Sequence, residues 1–228
     1  MKQKIKWLPR NMWLSLILAV FCNSVTYYGT RVFTNKRYHY NLSNQLDDQI
    51  PFIPWTVAIY LGCYVFWILN YILGCRQKPK VAFRFMSADF VAKIACMVCF
   101  FVFPTTNVRP LIEENSLWES VMAWLYRTDA ADNLLPSIHC LTSWFCVIAV
   151  RENKRIPRWY KMASIFLAFS VCVSTLTTKQ HVLIDVVCGI ALAEGSYLLV
   201  EKSGFSLWYA DCISKISSRM QERRKVRE

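Results

Sequence analysis

The residues best suited to chemistry are two histidines, each set among polar groups in otherwise apolar sequence. His181 and Asp185 stand four apart in the string Gln180-His181-Val182-Leu183-Ile184-Asp185, a spacing that puts both on one helix face. A carboxylate one turn deeper holds an imidazole in one tautomer and stabilises the ring when it becomes charged, the orienting arrangement of nucleophilic triads. A purely structural His–Asp pair has the same spacing. The second histidine, His139, closes the string Pro136-Ser137-Ile138-His139. Proline suits the first turn of a helix, so the N–H groups of Ser137 and its neighbours are expected to point at an anion. The Ser137 hydroxyl adds a donor, and His139, an imidazole that ordinarily titrates near neutrality, can give a proton to a leaving alkoxide. Arg109, followed by Pro110, offers a permanent planar cation matched to phosphate oxygens. The chemistry that uses all of these is phosphoryl transfer. His181 attacks phosphorus and carries it as a phosphohistidine. The sequence holds no metal-ligand cluster, so cations and N–H groups must neutralise the transition state.

The elements that must position these groups are membrane helices. The chain has 228 residues, 55% hydrophobic and 18% charged, with apolar runs of near-spanning length at about 12–30, 54–74, 84–103, 134–150, 158–176 and 181–200. The expected fold is all-α: a polytopic bundle of six transmembrane helices over 1–205, followed by a basic cytoplasmic tail over 206–228 that is either a short amphipathic helix or unstructured. The basic, then apolar, N-terminus resembles a signal peptide, but no small-residue cleavage site follows, so it reads as an uncleaved first span.

The net charge of +12 is explained by topology. With both termini in the cytoplasm, the inner segments carry Lys2, Lys4, Lys6 and Arg10; Arg76, Lys78, Lys80 and Arg84; Arg151, Lys154, Arg155, Arg158 and Lys161; and the C-terminal end with Lys202, Lys215, Arg219, Arg223, Arg224, Lys225 and Arg227. The outer segments carry Arg31, Lys36, Arg37, Arg109, Arg127 and Lys179. This asymmetry is the positive-inside pattern. It places a multi-pass protein in the cell membrane, argues against a nucleic-acid partner, and offers the tail to anionic inner-leaflet lipids. Ten scattered cysteines lie mostly in apolar runs, where they act as small hydrophobes, and the isolated Cys96-x-x-Cys99 lacks the partners a metal or redox site needs. Asp89 and Lys93, four apart in the third run, are expected to form a local ion pair. Glu194 in the last run is expected to find a neighbouring helix or the inner interface.

In this topology three polar clusters meet at the outer boundary: 104–110, 133–140 and 174–185. Together they resemble the type-2 phosphatidic acid phosphatase superfamily, with its Lys-x6-Arg-Pro, Pro-Ser-x-His and Ser-Arg-x5-His-x3-Asp motifs. Here these read Arg109-Pro110, Pro136-Ser137-Ile138-His139, and Ser174-Thr175-x5-His181-x3-Asp185. The resemblance implies a six-helix core and a metal- and cofactor-free enzyme acting on a membrane lipid, whether a phospholipid or a polyprenyl or sphingolipid phosphate. It implies His181 as nucleophile, Asp185 as its partner and His139 as general acid, with Arg109, Ser137 and Ser174 at the phosphate. Two cations of the pattern are replaced, by Val102 and Thr175, and Lys179 is the candidate substitute for one of them. A cation-poor pocket suits a phosphodiester better than a dianionic monoester. The Thr178-Lys179-Gln180-His181 context looks like the inositol-phosphorylceramide-synthase branch, which transfers head groups between lipids. Water and a lipid hydroxyl both stay open as acceptors. A non-catalytic lipid-binding protein of the same fold and a transporter are the competing readings.

Overall fold

The computed structural model describes residues 10–225, and its regular structure is almost wholly helical. Lys2, Lys4, Lys6 and Arg227 of the expected inner charge lie outside the described residues. The first crossing joins α1 (Arg10–Ser24), a π-helical turn (Val25–Gly29) and α2 (Thr30–Thr34). Next come the short α3 (Gln45–Gln49) and the long α4 (Val57–Cys75) and α5 (Pro79–Val102). After them lie α6 (Leu117–Thr128), α7 (Ile138–Arg151), α8 (Arg158–Thr177), α9 (Leu183–Ser203) and α10 (Phe205–Lys225). Boundaries follow local chemistry. Pro79 opens α5 at its first position and Pro157 precedes α8, where a missing N–H costs nothing. Gly204, at φ +68°, ends α9 in the left-handed region that glycine tolerates.

Among the described residues, five helical segments are long and apolar enough to cross a membrane, and Ile138–Arg151 is a sixth, shorter apolar helix. At about 1.5 Å per residue its 14 residues cover about 21 Å, less than the hydrocarbon layer. The burial pattern shows why a shorter helix serves here. α7 packs against α4, α8 and α9, and Leu141, Phe145, Cys146 and Ala149 are fully enclosed by protein. The outer helices instead turn apolar side chains outward: Ile17, Val20 and Phe21 on α1, Val65 and Ile68 on α4, Phe166 and Val173 on α8. Such a surface suits lipid rather than water.

The ionisable side chains of the third and last apolar runs find partners, as the cost of burying charge requires. Lys93 Nζ lies 2.8 Å from Asp89, whose same oxygen accepts from the Tyr71 hydroxyl at 2.6 Å. Glu194 reaches α7, accepting from Trp144 Nε1 at 2.7 Å and pairing with Arg151. The tail from 205 is a helix. Tyr209, Ile213 and Ser217, four apart, form its buried stripe, and Tyr209 meets Phe83 and Phe90 of α5.

The end of the bundle where α4, α7 and α9 begin and α5 and α8 finish is stitched by polar contacts. A two-residue parallel pairing joins Tyr40–Asn41 to Thr105–Thr106. Thr105 Oγ1 accepts from the N–H groups of Leu134 and Leu135 at 3.2 and 2.9 Å, and Ile53 N–H donates to the Thr177 carbonyl. Deeper, α9 meets α7 at Gly189, where a Cβ would fall 2.7 Å from the Ser137 carbonyl oxygen and 3.2 Å from Cys140 Cβ. A Cβ at Gly195, on the same helix, would meet nothing within 4 Å. Gly189→Ala is therefore expected to cost about 1–3 kcal/mol, the usual cost of overpacking, read as a lower thermal midpoint in detergent. Gly195→Ala is expected to be neutral or slightly stabilising. Equal midpoints for the two variants would show that the helices are not in close contact.

Candidate active site

Two helix N-termini, packed side by side, bring the histidines together. Ser137 caps α7, its hydroxyl accepting from Cys140 N–H at 3.3 Å. Asp185 caps α9 from its third residue, its Oδ2 accepting from Val182 N–H at 3.0 Å. The same oxygen lies 3.2 Å from His181 Nδ1, so one carboxylate ends the helix and orients the ring. The Ser137 N–H donates to the Asp185 carbonyl at 3.0 Å, which locks one N-terminus to the other. The N–H expected to face an anion is therefore engaged between the helices. Those of Ile138 and His139 find no acceptor among the described residues. His181 itself lies in the turn between α8 and α9, its N–H on the Thr175 carbonyl at 3.1 Å.

The rings of His139 and His181 stand 6.1 Å apart, centroid to centroid, on one cavity of about 330 Å³. That is too far for a direct hydrogen bond and near enough for one tetrahedral group to bridge. His181 Nδ1 is held by Asp185, leaving Nε2 as its free nitrogen. His139 Nε2 is buried with no partner among the described residues, and the Tyr60 ring stacks on its ring at 4.3 Å.

Arg109 lines the cavity. Its guanidinium lies 4.7 Å over the Tyr126 ring and donates to the Asp129 and Ala130 carbonyls and to Gln180 Oε1. Tyr126 donates to the Thr178 carbonyl at 2.7 Å; burial pushes its hydroxyl above the ordinary phenol value, against the pull of Arg109, so it stays a neutral donor. The Gln180 amide nitrogen is buried without an acceptor among the described residues.

The structure brings His139, His181, Asp185 and Arg109 together and sets Ser137 directly behind them. It does not bring Lys179 or Ser174 to this cavity. The Lys179 ammonium donates to the Asp47 and Ile50 carbonyls at 2.8 and 2.6 Å and borders a neighbouring cavity of about 230 Å³ that His181 also lines. The Ser174 hydroxyl turns back to the Val171 carbonyl at 2.8 Å. Neither replaced position restores a cation: Val102 is 66% exposed on the outside of the bundle, and Thr175 is buried with its hydroxyl on the Cys172 carbonyl.

Several residues of the cavity wall escaped sequence reasoning. Asp129 and Asp132 both line it. Asp129 accepts from the Tyr27 hydroxyl, and Arg31 pairs with Asp132 at 2.6 Å and with Asp129 at 3.7 Å. The segment 104–133, between two of the apolar runs, contains α6, whose Trp124 and Leu125 close one side of the cavity. Its signal was present: Ser116-Leu117-Trp118-Glu119 is a capping-box string, and Ser116 Oγ does accept from Glu119 N–H at 3.3 Å.

A bundle of apolar helices with a polar cavity at one end defines a multi-pass α-helical membrane protein. The chain belongs to the PAP2 superfamily, whose family model matches residues 37–199, from the segment before α3 nearly to the end of α9. This is the type-2 phosphatidic acid phosphatase superfamily that the motifs resemble, a family of lipid enzymes of the phosphatase and phosphotransferase type. No curated protein matches the chain.

The placement of Lys179 predicts a structural effect. Lys179→Met leaves the Ile50 carbonyl without its donor and the Asp47 carbonyl with only the Ile50 N–H, at about 1–3 kcal/mol for an unsatisfied group. Amide hydrogen exchange over residues 45–53 is expected to rise while that over α7 stays unchanged. Unaltered exchange in 45–53 would mean that Lys179 does not pin this segment.

Proposed function

We propose that this protein cleaves a lipid phosphate ester through a phosphohistidine on His181, with His139 as general acid and base. The observation that carries this reading is the pair of imidazoles 6.1 Å apart on one cavity, one backed by a buried carboxylate at 3.2 Å.

In the first half-reaction His181 Nε2 attacks phosphorus as the phosphorus–oxygen bond to the lipid breaks. The departing alkoxide takes the proton from His139 Nε2. Asp185 keeps the His181 proton on Nδ1 and balances the charge that the ring gains. In the second half, water or a lipid hydroxyl gives its proton to His139 and displaces His181. Arg109 and the free N–H groups at the start of α7 supply the anion-binding donors, and the reading requires no metal.

The charge around the cavity supports a phosphodiester, and with it head-group transfer. Among the described residues Arg109 is the one Arg or Lys that lines it, while Asp129 and Asp132 both line it and Arg31 pairs with them from behind. A dianionic monoester meets more repulsion in such surroundings than a monoanionic diester. This is the substrate class of the inositol-phosphorylceramide-synthase branch whose motif context the chain resembles. A lipid panel scored for both inorganic phosphate and new lipid products distinguishes hydrolysis from transfer.

His181→Ala is expected to reduce turnover by about 10³-fold or more in detergent with a chelator present, and vanadate to inhibit the unsubstituted protein as a five-coordinate phosphorus mimic. Normal turnover by that variant would remove the mechanism.

We further propose, from the distribution of Lys and Arg, that the cavity opens on the outer face, both termini lie in the cytoplasm and α7 forms the sixth crossing. In intact cells a cysteine introduced at Asn115 should take up an impermeant maleimide above background. One introduced at Lys154 should do so only after permeabilisation. The opposite pattern would invert the topology.

A further inference from the structure

The second histidine has a support of its own that none of the family motifs contains. The Tyr60 hydroxyl lies 3.4 Å from His139 Nδ1 and 3.4 Å from Asp129 Oδ2. Tyr60 comes from α4, His139 from α7 and Asp129 from the end of α6, so three elements converge on one hydroxyl. The phenol ring is buried and stacked on the imidazole at 4.3 Å and 26°, which fixes both rings. The direction of the bonds follows from the groups. An ionised carboxylate only accepts, so Tyr60 donates to Asp129, and its oxygen is left to accept from Nδ1–H of His139. Asp129 is anchored in turn by the Tyr27 hydroxyl and by Arg31.

We propose that Tyr60 and Asp129 are positioning residues for the general acid. They hold a proton on His139 Nδ1, so that Nε2, which has no partner among the described residues, is the nitrogen that exchanges protons with the substrate. The two histidines are then served in parallel. Asp185 orients His181 directly, and Asp129 orients His139 through a phenol. Both bonds to Tyr60 are long, as catalytic hydrogen bonds often are before substrate is bound. This proposal rests on the reading of His139 as general acid.

The test separates support of the general acid from general damage to the site. An alkyl phosphate ester needs its leaving oxygen protonated, whereas a p-nitrophenyl ester, with a stable leaving anion, does not. Phosphatidic acid and p-nitrophenyl phosphate serve as the monoester pair. A dialkyl phosphodiester and its alkyl p-nitrophenyl counterpart serve as the diester pair.

Tyr60→Phe keeps the stacked ring and removes the hydroxyl. It is expected to lower kcat on the alkyl ester about 10- to 100-fold, a part of what a general acid contributes, and to lower it at least tenfold less on the nitrophenyl ester. Asp129→Asn is expected to shift the same ratio in the same direction. Equal losses on both esters, or no loss on either, would overturn the positioning role while leaving His181 chemistry intact. Turnover of both esters by His181→Ala, or of no ester in either pair by the unsubstituted protein, would instead overturn the reading beneath it.

Discussion

The site depends on one close approach: the N-termini of α7 and α9 lie against each other, joined by the Ser137 N–H to Asp185 carbonyl bond and allowed by the bare Cα of Gly189. A helix N-terminus presents unpaired N–H groups, and two of them in apolar surroundings must each be satisfied. Ser137 and Asp185 do this locally as caps, and the bond between them removes one further orphan. The same geometry sets His139, two residues past one cap, across from His181, four residues before the other. A pair of imidazoles facing one cavity follows from how two helix ends are satisfied in a low-dielectric bundle.

Around that pair, charge is arranged by elements that the three motifs do not include. α6 and the segment after it bring Asp129 and Asp132 to the cavity, and α1–α2 bring Tyr27 and Arg31 to meet them. Arg109 is held by carbonyls and by a glutamine before any ligand binds. That spends part of its donor capacity while fixing its plane. The result is a cavity whose described lining holds more aromatic rings and carboxylates than cations.

Lys179 shows how sequence proximity misleads. It stands two residues from His181, and a cation there looked like a replacement for the arginine that Thr175 lacks. The backbone at Lys179 is left-handed, with φ at 52°, and its side chain leads to α3 instead. There it satisfies two carbonyls at the end of a five-residue helix. Direction in a turn is set by backbone conformation, which residue spacing does not report.

Sequence alone determined the membrane bundle, because runs near 20 residues long and a lopsided distribution of Lys and Arg are one-dimensional signals with one physical cause, the bilayer. It also determined the Asp89–Lys93 pair, since helix periodicity fixes which residues share a face, whereas His181, expected on the same helix face as Asp185, lies in the turn before α9 and meets Asp185 because that carboxylate folds back to cap the helix. Tertiary structure alone decided the rest. It set the distance between His139 and His181, the burial that lets the short α7 lie inside the bundle, the turning of Lys179 and Ser174 away from the cavity, and the arrival of Tyr60 and Asp129 at His139. Each of these is decided by contacts between segments distant in sequence, fixed by side-chain packing and by hydrogen bonds across the bundle, and no local spacing encodes either.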